Sequence, residues 1–153
     1  MKKLIAITFA LPVMGTLACT KSEPPPPTPA PITVPATTLP APLSVTTVTL
    51  GTSIGADKRV AAPTETFGAK DTIYSSVETA GAGHAKLRAH WSFVKGEKTA
   101  KVDDTTIEFD AAGPTVNEFH ISKPSGWPKG DYKVEIFLGD GETPAATRSF
   151  KVS

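Results

Sequence analysis

The stretch Ala85-Lys-Leu-Arg-Ala-His-Trp-Ser-Phe93 decides the fold class of this chain. Its apolar residues stand at every second position from Leu87 to Phe93, and polar residues fill the positions between them. Successive side chains of a β-strand point to opposite faces of the sheet, so this alternation predicts a strand with one buried and one solvent-facing side. Trp91 is expected on the buried side and His90 on the solvent side.

A second stretch, Tyr132–Leu138, shows the same alternation. Its even-numbered residues are expected to face a core, while the odd-numbered ones, including Phe137, face away. Weaker alternation predicts five further strands, and an additional short strand is compatible with residues 99–102. The five lie at 44–50, 72–79, 105–109, 116–122 and 145–152.

Turn-forming residues separate these strands, and Gly139-Asp140-Gly141 is predicted to close a tight hairpin. No eleven-residue window after residue 43 carries a helical apolar stripe. Short strands joined by turns at this spacing are typical of a sandwich of two packed sheets. The prediction is an all-β fold, a seven-stranded antiparallel β-sandwich over residues 44–153.

The segment GWPKGDYKVEIFL, residues 126–138, resembles the corner and F strand of immunoglobulin-like domains. In that family a Tyr near the start of strand F lies two residues before a core position, and its hydroxyl bonds back to nearby backbone. Tyr132 and Val134 have this spacing, and Trp91 corresponds to the buried Trp of strand C. The resemblance implies an immunoglobulin-like sandwich without the family's disulfide. It implies no particular activity, since one fold hosts many functions.

Residues 1–18 have the pattern of an export signal. Lys2 and Lys3 precede an apolar stretch of about ten residues, which is too short to span a bilayer. Small residues then lead to Cys19, the only cysteine of the chain. This pattern resembles the lipobox of bacterial lipoproteins, and the resemblance implies cleavage before Cys19 and lipidation of its thiol. The alternatives are an ordinary secretory signal cleaved nearby and an uncleaved anchor.

Lipidation would hold the protein in a cell envelope. By resemblance, Cys19 would carry two acyl chains on its thiol and commonly a third on its amine. Each buried methylene contributes about 0.8 kcal/mol, so anchoring by several chains is effectively permanent. Thr20 stands where enterobacteria-like sorting places Asp for inner-membrane retention, which favours the outer membrane. The domain would face the periplasm or the cell surface.

Residues 19–43 are predicted to form a proline-rich linker. Nine prolines lie between Thr20 and Leu43. Proline removes backbone donors and fixes φ, so this segment is expected to be extended polyproline II, a spacer of up to roughly 70 Å. The linker is interpreted as a stalk that holds the domain off the membrane. A docking ligand for an aromatic groove is the alternative.

The charge of the chain argues against nucleic-acid binding. Loss of residues 1–18 would remove Lys2 and Lys3 and leave 14 basic and 15 acidic residues, which are interspersed. Such a chain presents no large positive field to attract a phosphate backbone.

Catalytic motifs and metal-binding motifs are not evident in the sequence. His84, His90 and His120 are expected to be scattered, solvent-facing residues, with His90 and His120 in different sheets, so no metal or cofactor is predicted. The domain lacks a Gly-x-Ser-x-Gly elbow and a free cysteine. No catalytic residue is therefore predicted, and the protein is not expected to be an enzyme.

Two aromatic residues, Trp127 and Phe137, occupy positions expected to face away from the core. One interpretation is that Trp127 caps one end of the sandwich and Phe137 lies under a loop. The other is that both are exposed contacts for a partner.

Together these patterns predict a membrane-anchored envelope lipoprotein that displays a non-catalytic β-sandwich binding module. Its partner would be a protein or an envelope polymer, bound at an open sheet edge or at the end loops. The alternative is a structural or accessory subunit of a cell-envelope assembly.

The lipidation hypothesis predicts the behaviour of Cys19→Ala. This variant is expected to accumulate as full-length precursor and to incorporate no labelled palmitate, because it lacks the thiol that acylation requires. Metabolic labelling followed by gel mobility measures both properties. Normal processing together with unchanged membrane retention would contradict the hypothesis.

Overall fold

The computed structural model describes residues 41–153, which form two β-sheets. The predicted signal peptide, Cys19 and the linker through residue 40 lie outside the described residues. Within the described range, no helix is long and apolar enough to cross a membrane.

Eight strands follow one another along the described part of the chain. They are β1 (Ser44–Gly51), β2 (Thr66–Phe67), β3 (Ile73–Ala80), β4 (Gly83–Lys95), β5 (Lys98–Ala111), β6 (Thr115–Ile121), β7 (Gly130–Leu138) and β8 (Ala146–Val152).

The strands divide between a three-stranded sheet in the order β1-β3-β6 and a five-stranded sheet in the order β2-β8-β7-β4-β5. Every pair is antiparallel except β2 with β8. The first, second and fifth long strands share one sheet, and the other sheet places β4 beside β7 and β7 beside β8. This is the arrangement of an immunoglobulin-like sandwich.

Each of the seven predicted strands coincides with an observed strand, but the prediction needs three corrections. The two-residue strand β2 adds an eighth strand, and its pairing with β8 is parallel. The stretches 99–102 and 105–109 belong to one continuous strand, β5, whose register shifts by one residue where it passes Trp91 and Ser92 of β4. β7 and β8 form the antiparallel hairpin predicted at Gly139, but its turn is not tight, because residues 139–145 all lie between the two strands.

The core lies between the sheets and contains the residues that alternation assigned to it. Trp91 is 1% exposed, and Val134, its neighbour across β4 and β7, is fully buried. Phe150 of β8 joins the aromatic rings of this core: it stacks on Tyr132 with ring centres 5.3 Å apart and meets Trp91 edge-on at 5.9 Å. The ring of Phe67, in β2, packs edge-on against Phe150 at 5.4 Å.

The tyrosine corner has the geometry that the resemblance implies. Tyr132 is 2% exposed, and its hydroxyl donates a hydrogen bond to the carbonyl oxygen of Pro128 at 2.8 Å. Gly130 begins β7 with φ of +146°, and a Cβ there would stand 2.7 Å from the ring of Phe93. The corner therefore needs a glycine at this position for both conformation and space.

Trp91→Ala is expected to lower the free energy of unfolding by about 3–5 kcal/mol, because it leaves a large cavity between the sheets. Tyr132→Phe removes only the corner hydrogen bond and should cost about 1–2 kcal/mol. Urea unfolding measures both, with exposed Thr106→Ala as a near-neutral control. A Trp91→Ala variant no less stable than the control would refute the assigned core.

Candidate functional site

The sandwich has two lateral sides, and the one formed by β1 and β8 is closed. Arg148 of β8 donates from Nε to the carbonyl oxygen of Val48 in β1 at 2.8 Å, which joins the two sheets. The short strand β2 also covers part of the outer edge of β8. We call this the closed side.

The opposite side is formed by β5 and β6, and we call it the open side. In the part of the chain that the structure describes, no strand pairs with the outer edge of β5, and no hydrogen bond joins β5 to β6. β5 has 14 residues and is twice as long as β6, the edge strand of the other sheet on this side, which has seven. An unpaired edge of this length presents backbone donors and acceptors that another chain can bind.

A groove of about 570 Å³ opens on this side, between the edges of the two sheets. Its walls are formed by the register shift of β5, the end of β6 and the segment leading to the tyrosine corner. The lining residues are Phe93, Lys101, Val102, Asp103, His120, Ile121, Ser122, Lys123, Trp127, Pro128 and Tyr132. The groove therefore combines apolar and aromatic groups with charged groups of both signs.

Two charged residues of the groove have no ion-pair partner among the described residues. Asp103, on β5, accepts a hydrogen bond from the Thr105 hydroxyl at 2.9 Å. Lys123, in the segment after β6, has its Nζ 6.0 Å from the ring centre of Trp127. These two side chains can meet polar groups of a ligand without first breaking an ion pair.

The groove lies far from the point where the linker reaches the domain. The backbone N–H of Ala82 donates to the carbonyl oxygen of Ala41 at 3.2 Å, so the end of the predicted linker contacts the sandwich beside the start of β4. Phe93, which lines the groove, lies ten residues further along the same strand, about 30 Å away at the usual strand rise.

Trp127 and Phe137 are both buried, at 6% and 7% exposure, which favours the interpretation that Trp127 caps the sandwich over the one in which both are exposed. Trp127 caps one end of the core: its Nε1 donates to the carbonyl oxygen of Asp71 at 2.9 Å, and one part of it lines the groove. Phe137 faces outward from β7 and is covered by the Arg88 guanidinium, 4.2 Å from its ring centre. A partner contact at either residue stays a prediction.

The three histidines are separate, and each contacts a carboxylate. His84 pairs with Asp110, His90 with Asp104 and His120 with Glu118. His90 belongs to the five-stranded sheet and His120 to the three-stranded sheet, as expected. Residues 41–153 contain no cluster of three or more side chains able to hold a metal ion.

Asp104 is the centre of a small polar network on the outer face of β4 and β5. Burial alone would raise its pKa, but hydrogen bonds from His90 and Lys101, with the charge of Lys101, outweigh burial and hold the pKa below its usual value. Its carboxylate lies 3.1 Å from Nδ1 of His90 and 3.3 Å from Nζ of Lys101. This network links β5, the strand at the open edge, to its neighbour β4. At the corner, burial raises the pKa of the Tyr132 hydroxyl.

Sequence reasoning identified Trp127 but not the groove around it. The position of Asp103 depends on the register shift opposite Trp91, and no sequence signal marks that shift. The high content of charged residues and threonine in β5 is a signal for an exposed edge strand that was available in the sequence.

No protein-family profile matches this sequence, and no curated protein sequence matches it significantly. Among solved structures, a β-glucosidase from Erythrobacter marinus is similar with a TM-score of 0.51 at 7% identity, over 73% of this chain and 15% of that one. An immunoglobulin-like protein from Pseudomonas aeruginosa gives 0.49 at 16% identity, over 74% of this chain and 98% of that one. The chain spans about 15% of the length of that β-glucosidase, and the likeness shows a shared fold alone.

The polar network predicts a pH-dependent effect of Asp104→Asn. At neutral pH the variant should be less stable by about 1 kcal/mol, because a neutral amide replaces the ionised carboxylate that bonds to His90 and Lys101. The folded-state pKa of Asp104 is lowered, so its stabilisation is present above the unfolded pKa of about 3.9 and is lost as pH falls through the folded value.

Urea unfolding between about pH 7 and pH 3 measures this difference, with Asp131→Asn as the matched control on exposed β7 surface. A stability difference that stays constant across this range would show that the charge of Asp104 contributes nothing.

Proposed function

We propose that this protein is a lipid-anchored envelope protein whose β-sandwich is a non-catalytic binding module. Cys19 would carry the anchor, residues 20–43 would serve as the spacer, and the open side with its groove would receive the partner. The observation that carries the proposal is the contrast between the two lateral sides of the sandwich.

The closed side supports the proposal by showing how this fold protects an edge. There, Arg148 bonds to Val48 across the sheets and β2 pairs with β8. β5 has no such cover within the described residues, although it is the longest strand. A long uncovered edge presents unpaired backbone donors and acceptors, to which a partner chain can bind.

The placement of the groove is consistent with display from a membrane. The linker contacts the sandwich at Ala82, and the groove begins about 30 Å further along β4. A domain anchored through its N-terminal end would then hold the groove away from the anchoring surface.

The chemistry of the groove favours binding over catalysis. His120 is its only imidazole, and it is hydrogen-bonded to Glu118 at 2.8 Å rather than to a hydroxyl nucleophile. Asp103 is held by Thr105 and faces apolar and lysine side chains. Apolar walls with a few polar groups are what a recognition surface requires.

Site-specific photo-crosslinking in living cells tests this proposal. A photoreactive residue replaces Thr105 or Lys123 on the open side of the full-length chain, and Glu65 on the closed side serves as the control; all three positions are exposed. The expected result is a discrete crosslinked product in the membrane fraction from Thr105 and Lys123 and none from Glu65. No product from either open-side position, or equal products from all three, would overturn the binding role.

A further inference from the structure

We infer that the occupant of the open side is an extended polypeptide segment that adds as a strand to the free edge of β5, with basic residues facing the β5 carboxylates. This inference rests on the proposed binding function and names the class of partner. It is carried by three features of β5: its unpaired backbone, its half-covered apolar residues and its charge.

The backbone of β5 has a free edge with which a partner strand can form hydrogen bonds. β4 pairs with it along its whole length, from Gly83 opposite Ala111 to Lys95 opposite Lys98. The other side of β5 has no strand in the described part of the chain. A partner segment of eight residues beside residues 103–110 would extend about 27 Å and could continue the sheet through main-chain hydrogen bonds.

Two inward-facing residues of β5 are apolar and incompletely covered. Ile107 and Phe109 pack against the core, opposite Leu87 and Ala85 of β4, and both remain partly exposed. Their uncovered flank faces the position that an added strand would occupy. Alternate apolar side chains of such a strand would bury this flank, and near Val102 they would reach the groove.

The outward-facing residues of β5 select for positive charge. Asp104, Glu108 and Asp110 face outward, opposite His90, Lys86 and His84 of β4, and no basic residue lies between Asp103 and Asp110. Glu108 and Asp110 have side chains that are 59% and 85% exposed, so their contacts with Lys86 and His84 leave them accessible. Lysine or arginine at alternate positions of a partner strand would lie opposite these carboxylates.

A second copy of this chain is a poor occupant for the same reason. A β5 strand paired with residues 103–110 of another β5 would place carboxylates among carboxylates, and like charges facing each other in a sheet are destabilising. A partner strand with alternating apolar and basic residues would pair with the free backbone, cover the apolar flank and neutralise the carboxylates.

Amide hydrogen exchange of the mature, lipidated chain in mild detergent tests this inference. The probe is a blocked nine-residue peptide of alternating lysine and valine, and the control peptide has glutamate in place of lysine. The lysine peptide is expected to slow exchange in β5 by about tenfold or more at saturation and to leave β1 unchanged. The glutamate peptide should have no effect.

Matched variants separate edge recognition from general charge attraction. Glu108→Lys with Asp110→Lys should abolish the protection, whereas Asp140→Lys with Glu142→Lys, on the exposed loop after β7, should retain it. Unchanged thermal unfolding verifies that each variant is folded.

Three results would overturn the inference: no protection of β5 by the lysine peptide at millimolar concentration, equal protection by the glutamate peptide, or concentration-dependent protection of β5 without peptide, which indicates self-pairing. If cells nevertheless give a crosslink from Thr105, the binding role survives with another class of ligand. If they give none, the proposed function itself fails.

Discussion

The packing of Phe150 against Tyr132 and Trp91 is the interaction on which the rest of the domain depends. Residues 41–153 contain no cysteine, so no disulfide supports this core, and its rings pack together on the inner face of the five-stranded sheet. Phe150 links β8 to β7 and to β4, and Phe67 extends this contact to β2. Aromatic pairs of this kind contribute about 0.5–1.5 kcal/mol each beyond the apolar area that they bury. That gain is needed, because Nε1 of Trp91 is buried without a hydrogen-bond partner.

The same packing gives the groove a rigid wall. Tyr132 is held by Phe150 on one side and by the Pro128 carbonyl through its hydroxyl, and it also lines the groove. Trp127 is fixed against Tyr132 and bonded to Asp71. The opposite wall depends on β5, whose register is set by thirteen paired positions with β4. The groove is therefore preformed, and the binding of a ligand would cost little free energy for ordering its side chains.

The sequence predicts the core better than the site because the two depend on contacts of different range. Trp91 and Val134 could be assigned to the core from local alternation, since a strand's inward positions repeat every two residues. The burial of Trp127 could not, because its hydrogen-bond partner, Asp71, lies 56 residues away in sequence. Phe137 is covered by Arg88, a residue brought beside it only by the pairing of β4 with β7. Strand β2 is too short to show any alternation, and it forms only through its pairing with the edge of β8.

The carboxylates of β5 reconcile two requirements that an exposed edge strand imposes. An edge that is open to a partner is also open to copies of itself, and natural sheets resist this with charged residues and bulges. β5 has both devices: four acidic residues between Asp103 and Asp110, and a register shift opposite Trp91. Neutral residues on this edge would leave the backbone ladder available to any extended chain. Charges of one sign restrict it to strands of opposite sign, so the feature that prevents self-association also supplies the selectivity.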